Sequence, residues 1–475
     1  LAQYGYRQEL RRVLGTRDLL AYGLIFMVPI APMAIFGQVF AGSGGMVVLA
    51  YAVGMGALVF TAFSYAQMVK AFPLSGSVYN YVGRGIGAPV GFLAGWAIML
   101  DYILVPSLLY LVAAVAMNAT VLTVPVWLWL VGFIAANTVV NCLGIKMTAA
   151  VTWVMLAGEL IVLALFIGFG VWAVVTGRGH FTWAPLYNPH TFTWPVLFGA
   201  VSIAVLSFLG FDGISMLAEE SKGGSRHVGR AMAAALALAG LLFIAQTWVA
   251  AMLIPDSAGL IANGDPSGTA FYDVAAIAGG PWLGTLCAVA TAIAWGIPDS
   301  MVAQVAISRL LYAMARDRQL PRFLARVSVK RNVPTNAILL VAGLSVALGG
   351  YMASRSDGIN LLVSFINFGA LTAFLALHVA VVWHYLFRRR SRNLLAHLLM
   401  PAVGFAILAY VVINANVAAQ RLGFVWIALG VVVLVVLYAT GRKPTLPAGG
   451  VGDASDELRR AGGTRVENVR PEVRA

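Results

Sequence analysis

The chain has 475 residues, of which 61% are hydrophobic and only 10% charged, whereas about a quarter of the residues of a soluble globular domain carry charge. That composition excludes an ordinary soluble domain and describes an integral membrane protein. The formal net charge of +13 does not indicate nucleic acid, because the 31 Lys and Arg residues follow a membrane topology: with the N-terminus inside, all but Arg178, Arg355 and Arg421 fall on the inner side.

Residues 1–18 read as a cytoplasmic N-terminal segment, and Leu1 in place of Met as a trimmed start. Twelve apolar runs follow, each long enough to cross a hydrocarbon core of about 30 Å as a helix. They are expected at 19–40, 45–69, 87–118, 125–143, 148–176, 193–218, 229–253, 281–312, 336–353, 360–386, 394–416 and 422–440. The first run is too long for a signal-peptide core and should remain as a helix. It contains Val28-Pro29-Ile30-Ala31-Pro32-Met33, and a proline inside a helix removes a hydrogen bond and clashes with the preceding turn. The third run opens with Gly87, Gly91 and Gly95, a four-residue spacing that puts a smooth stripe on one face for close helix packing. It also carries Asp101 and Tyr102. The fifth run carries Glu159. The sixth reads Ser207-Phe208-Leu209-Gly210-Phe211-Asp212-Gly213-Ile214-Ser215, an acid between two glycines at membrane depth.

The first and sixth runs are therefore both interrupted, five helices apart. Because five is odd, the second set of five enters from the opposite side, and matching breaks imply two inverted repeats with a midplane binding site between them. Repeat 1 spans 19–176 and repeat 2 spans 193–386, with 394–440 outside the repeat and 441–475 as a polar, disordered tail. Both termini are expected on the cytoplasmic side. After the sixth run, Glu219, Glu220, Lys222, Arg226 and Arg230 read as a solvated charge run at a helix end, and Arg388-Arg389-Arg390-Ser391-Arg392 as a topology anchor facing anionic lipid. Cys142 and Cys287 lie in or beside apolar helices and imply neither a disulfide nor a metal site.

The segment "SFLGFDGISMLAEESK", with "FPLSGSVYNYV", "GWAIMLDY", "SRLLYAMARDRQLP" and "INFGALTAF", resembles the amino acid-polyamine-organocation permeases, and most of all their bacterial putrescine importers. The resemblance implies an all-α membrane protein of the LeuT type: twelve transmembrane helices, a 5+5 inverted repeat with discontinuous helices 1 and 6, and two extra helices. It also implies alternating access in the plasma (inner) membrane, driven by a proton or sodium gradient. Amino-acid permeases of the family have a Gly-rich break in helix 1 whose amides hold the substrate carboxylate. Here the break is Pro29-Ile30-Ala31-Pro32 without glycine, although the amides of Met33 and Ala34 remain available to an anion. A second departure is Val228-Gly229-Arg230, where relatives carry a proline.

Asp101, Glu159, Asp212 and Asp299 are the acids within the predicted spans, and an acid there is a functional candidate by default. They favour a cation. Asp212 suits an ammonium group, helped by Phe208, Phe211 and the carbonyls near Gly210, and it equally suits the N-cap of the turn that follows. Asp101 and Tyr102 can meet the far amine of an extended substrate, with Asp299 as an alternative. Ile30, Ala31 and Met33 would line the helix 1 break. Tyr110, Trp295, Ser300 and Asn367 are weaker candidates, and His378 and His384 weaker proton carriers. In proton-coupled relatives a titratable side chain replaces the ion on the face between helices 1, 5 and 8. Glu159 fits that proton-coupling role, or a protonated Glu bonded to a neighbouring helix.

The expected function is a secondary transporter importing a small amine, such as putrescine, by proton symport. The alternative is a proton- or sodium-coupled amino-acid permease or an exchanger. A membrane enzyme is disfavoured by the absence of HExxH, GxSxG or clustered His and Cys ligands, and a channel by the absence of a filter or charged ring. No cofactor, metal or nucleic acid is implied; the partners are the substrate, the coupling ion and the bilayer.

Overall fold

The computed structural model describes residues 12–441 except 75–76, 121–122, 267, 318, 329–330, 356–357 and 415–416. Residues 442–475 of the predicted tail and residues 1–11 of the N-terminal segment lie outside the described residues. The secondary structure among the described residues is all-helical. In order, the helices are α1 (Thr16–Met27), α2 (Pro32–Gly42), α3 (Val47–Ala71), α4 (Ser77–Gly85), α5 (Ala88–Thr120), α6 (Val126–Leu143), α7 (Ile145–Val175), α8 (Trp194–Ala204) and α9 (Gly224–Ala251). They continue as α10 (Ser257–Asn263), α11 (Ala270–Gly279), α12 (Pro281–Ala294), α13 (Ser300–Arg316), α14 (Thr335–Ala353), α15 (Gly358–Val382), α16 (Met400–Ile413) and α17 (Val417–Ala439). Among the described residues, eleven helices are long and apolar enough to cross a membrane, or twelve if the bent pair α1 and α2 is one span.

The breaks follow the backbone chemistry. α1 and α2 meet at 54°. Val28 sits at the hinge with φ +48°, an outlier for a β-branched residue, and Pro32 opens α2 where its missing N–H costs nothing. Gln246 of α9 donates to the freed Pro29 carbonyl at 2.8 Å, so the interruption is satisfied from a neighbouring helix, as irregular backbone at membrane depth requires.

The predicted sixth run is α8 followed by a 3-10 turn at Val205–Phe208, then extended Leu209, left-handed Gly210 (φ +108°) and a second 3-10 segment at Phe211–Glu220. Gly210 is required twice over. Its φ is one L side chains rarely adopt, and a Cβ there would lie 2.6 Å from the Phe26 ring. Gly213 likewise clears Phe26, 2.5 Å from a Cβ position. The two glycines thus let the end of α1 press its aromatic ring onto the second break.

A third irregularity interrupts the predicted run 281–312. Trp295–Asp299 forms a π turn containing Pro298 between α12 and α13, the single-turn distortion often found at functional sites. Of the predicted glycine stripe, Gly91 and Gly95 face α4, where a Cβ would lie 2.3 Å from Gly83 Cα and 3.1 Å from Tyr79 Cβ. A Cβ on Gly87 would meet only Pro89, so that glycine takes no part in the packing.

Candidate functional site

The three irregular segments converge on one cavity of about 50 Å³, room for roughly three to five water-sized groups. Its wall combines Phe26, Val28 and Ala31 from the α1/α2 break, Asp101 and Val105 from α5, and Ser207 and Leu209 from the break after α8. Trp295 and Asp299 of the π turn complete it. The wall is apolar apart from Ser207, the Trp295 indole N–H and two acids, and it carries no basic side chain. Asp101 and Asp299 are 3% and 5% exposed, and Oδ1 of each has no hydrogen-bond partner among the described residues. A buried carboxyl oxygen left without a donor is costly in the empty protein. It is also ready to receive a donor from a ligand.

Glu159 on α7 is not a lining residue; it is buried, neither of its oxygens has a partner among the described residues, and it lies within electrostatic reach of Asp299. The π turn that carries Asp299 is braced from behind. Asn137 of α6 donates to the carbonyls of Gly296 (3.2 Å) and Ile297 (3.0 Å) and to Ser300 Oγ (2.9 Å). One turn on, Asn141 donates to Met301 O and Gln304 Oε1.

Asp212 occupies a different setting. Its Oδ2 accepts from Tyr102 (2.6 Å), Tyr65 (3.0 Å) and Ser77 (3.4 Å), which tie α5, α3 and α4 to the second break, while its Oδ1, like those of Asp101 and Asp299, has no side-chain partner among the described residues. Asp212 is not among the cavity-lining residues, and neither are Ile30, Met33, Tyr102, Phe208, Gly210, Phe211 and Ser300, all of which are buried around the wall. Of the sequence candidates, Ala31, Asp101 and Asp299, and the weaker candidate Trp295, stand on the wall itself. The amides of Met33 and Ala34 are already engaged, donating to Ile30 O (3.0 Å) and Ala31 O (3.1 Å), so α2 does not present them to an anion.

A family profile described as Amino acid permease matches residues 19–438. The chain belongs to the amino acid permease family. It is 31% identical over 448 residues to a low-affinity putrescine importer, PlaP, of Escherichia coli K12, covering 92% of this chain and 96% of the importer. It is 26% identical to a branched-chain amino acid permease, BcaP, of Lactococcus lactis (91% of this chain, 95% of the relative). A methylthioribose transporter of Bacillus subtilis is also 26% identical (83% and 85%). The many apolar helices and this membership make the permease a multi-pass membrane protein.

The structure corrects one reading of the charged segment after the second break. Glu219 and Glu220 are not solvated: they are 2% and 1% exposed. Arg309 Nε donates to Glu220 Oε1 at 2.9 Å, both side chains being 1% exposed, and Arg316 makes a bidentate pair with Glu219 at 3.0 and 3.1 Å. Both arginines come from α13, so the pairs join the far ends of the second and third interrupted segments. Val13 and Leu14 cross the same place, their amides donating to Glu220 O. Lys222, Arg226 and Arg230 of that run are exposed as expected.

In this permease Asp212 acts as a tie between helices. Asp212→Asn is expected to cost about 1–3 kcal/mol of stability, because an amide in place of the acceptor disturbs three buried hydroxyl donors. It should change diamine affinity far less than Asp299→Asn. Thermal unfolding and equilibrium binding on both variants test this, and a larger affinity loss for Asp212→Asn would assign the ammonium contact to Asp212.

Proposed function

We propose that this permease is a secondary active transporter that imports a small amine, a short diamine such as putrescine, across the plasma membrane by proton symport. The observation that carries the reading is the cavity at the helix breaks, whose wall holds two buried acids with open acceptor positions and no basic group. Two ammonium ends of an extended diamine match two separate carboxylates, with the apolar wall against the methylenes. The name of the Escherichia coli relative supports the same substrate class. A carboxylate, by contrast, would meet engaged amides at α2 and negative charge around it, which weighs against the amino-acid reading that the BcaP relatives keep open.

The proposal extends to architecture. Residues 19–176 and 193–386 form two inverted five-helix repeats of the LeuT type, 394–440 stand outside them, and both termini face the cytoplasm. Twelve spans result when α1 and α2 count as one.

Glu159 is proposed as the proton carrier. Two like charges near each other repel, and an uncompensated buried charge is strongly unfavourable. When a substrate ammonium neutralises Asp299 and a proton neutralises Glu159, the closed site carries no net charge from the pair. That state crosses most easily between inward and outward access, which couples the two cations. Uptake into proteoliposomes, comparing diamines with amino acids at two pH values with and without sodium, tests the function. Saturable diamine uptake driven by an inward proton gradient is expected. Glu159→Gln should still bind diamine and exchange it, but lose gradient-driven concentration; retained concentration would remove Glu159 from the coupling.

A further inference from the structure

We propose that the groove between α3 and α9 is a binding site for an anionic phospholipid, with the phosphodiester at one end and an acyl chain along the rest. The groove has a volume of about 640 Å³. It is cut by small side chains: Ala62 and Ala66 on α3 face Gly229, Ala233 and Ala237 on α9, each set repeating at about one helical turn. At Gly229 the helices nearly touch, a Cβ there lying 3.0 Å from Ala66 Cβ. Away from that crossing they diverge and leave an apolar trough whose rim includes exposed Val59 and Phe63.

One end of the trough is cationic. Lys70 from the last turn of α3 and Arg226 and Arg230 from the first turns of α9 line it, together with Ser225 and without any acid. All three cations are exposed, and none forms an ion pair among the described residues. The start of α9 has no side-chain cap hydrogen bond, so its unsatisfied amides and the positive end of its dipole face the same place. Arg226, Arg230, Ala233 and Ala237 recur at steps of four, three and four residues, which puts charge and trough on one face of α9.

The combination selects the occupant. A free phosphate would use only the cations and leave the trough unfilled. A zwitterionic lipid would bring a second positive charge to a site without an acid. An anionic phospholipid satisfies both ends, and each cation near an anionic headgroup contributes roughly a fivefold gain in binding. Because α9 follows the second break through Glu219 and Glu220, an occupied groove bears on the helix that also braces the first break through Gln246.

The test uses the full chain purified in detergent, with native mass spectrometry and thermal unfolding in phosphatidylglycerol, phosphatidylcholine or inorganic phosphate. Phosphatidylglycerol should be retained and raise the melting temperature, with little effect from the other two. Two variants separate the ends of the site. The triple variant Lys70→Gln, Arg226→Gln and Arg230→Gln removes the charge, and Ala233→Phe fills the trough while keeping the charge. Each should lower phosphatidylglycerol binding at least tenfold while unfolding like the wild type in phosphatidylcholine. Equal retention of both lipids by the wild type, unchanged phosphatidylglycerol binding by both variants, or stabilisation by inorganic phosphate alone would overturn the proposal.

Discussion

Asp299→Asn is expected to raise the dissociation constant for putrescine about 100-fold or more, while the ligand-free protein unfolds at the same or a higher temperature. The two effects share one cause. Asp299 is 5% exposed and its Oδ1 has no partner among the described residues, so without a bound cation the carboxyl is a destabilising group that an amide replaces with little loss. With a bound ammonium the same carboxyl becomes half of a buried charge pair. Truncating such a pair costs about 2–5 kcal/mol, a factor of roughly 30 to several thousand. Asp101→Asn should behave alike for a diamine. For a monoamine of the same chain length only one of the two substitutions should matter, and which one does so locates the single ammonium. A variant that unfolded early and bound diamine normally would make Asp299 a structural group and remove the basis of the substrate assignment.

Much of this framework was legible in the sequence. The lengths of the apolar runs place the long helices within a few residues of where they stand, because a run must match the bilayer whatever it packs against. Val28-Pro29-Ile30-Ala31-Pro32 and Gly210-Phe211-Asp212-Gly213 mark two breaks because proline and glycine act on the backbone locally. What stayed hidden depends on partners far apart in the chain. Glu219 and Glu220 look like any charged helix end until Arg316 and Arg309, 97 and 89 residues on, close over them. Asp212 shows nothing in sequence of Tyr65, Ser77 and Tyr102. Asn137 and Asn141 did leave a signal: two amides one turn apart on an otherwise apolar helix share a face and need partners, here the π turn and α13. The short helices α4, α10 and α11 were missed because none is long enough to register as a span.

The second large effect concerns the end of the molecule that the ion pairs close. Arg309→Met leaves Glu220 buried without its cation, and breaking a buried pair from one side costs about 3–5 kcal/mol. This variant should have a markedly lower melting temperature than the wild type. Arg316→Met should lose less, because Arg316 is 12% exposed and partly solvated pairs contribute less. Adding Glu220→Leu to Arg309→Met removes both charges, and a buried pair replaced by apolar groups is often neutral or stabilising, so the double variant should regain stability. Transport should not return with it. The pair joins the segment after the second break to α13, and an apolar contact there lacks the direction and range of a charge pair. The transport cycle proposed above needs that end to open and close. The double variant should therefore expose the interior more often, which the reaction rate of a thiol reagent with Ser215→Cys, a fully buried position next to the break, would report, with Cys142 and Cys287 replaced by Ala throughout. Faster labelling with slower transport at wild-type stability identifies Glu220 and Arg309 as a gate. Recovery of transport along with stability would make the pair a packing element, and the closing of that end would have to rest on Glu219 and Arg316.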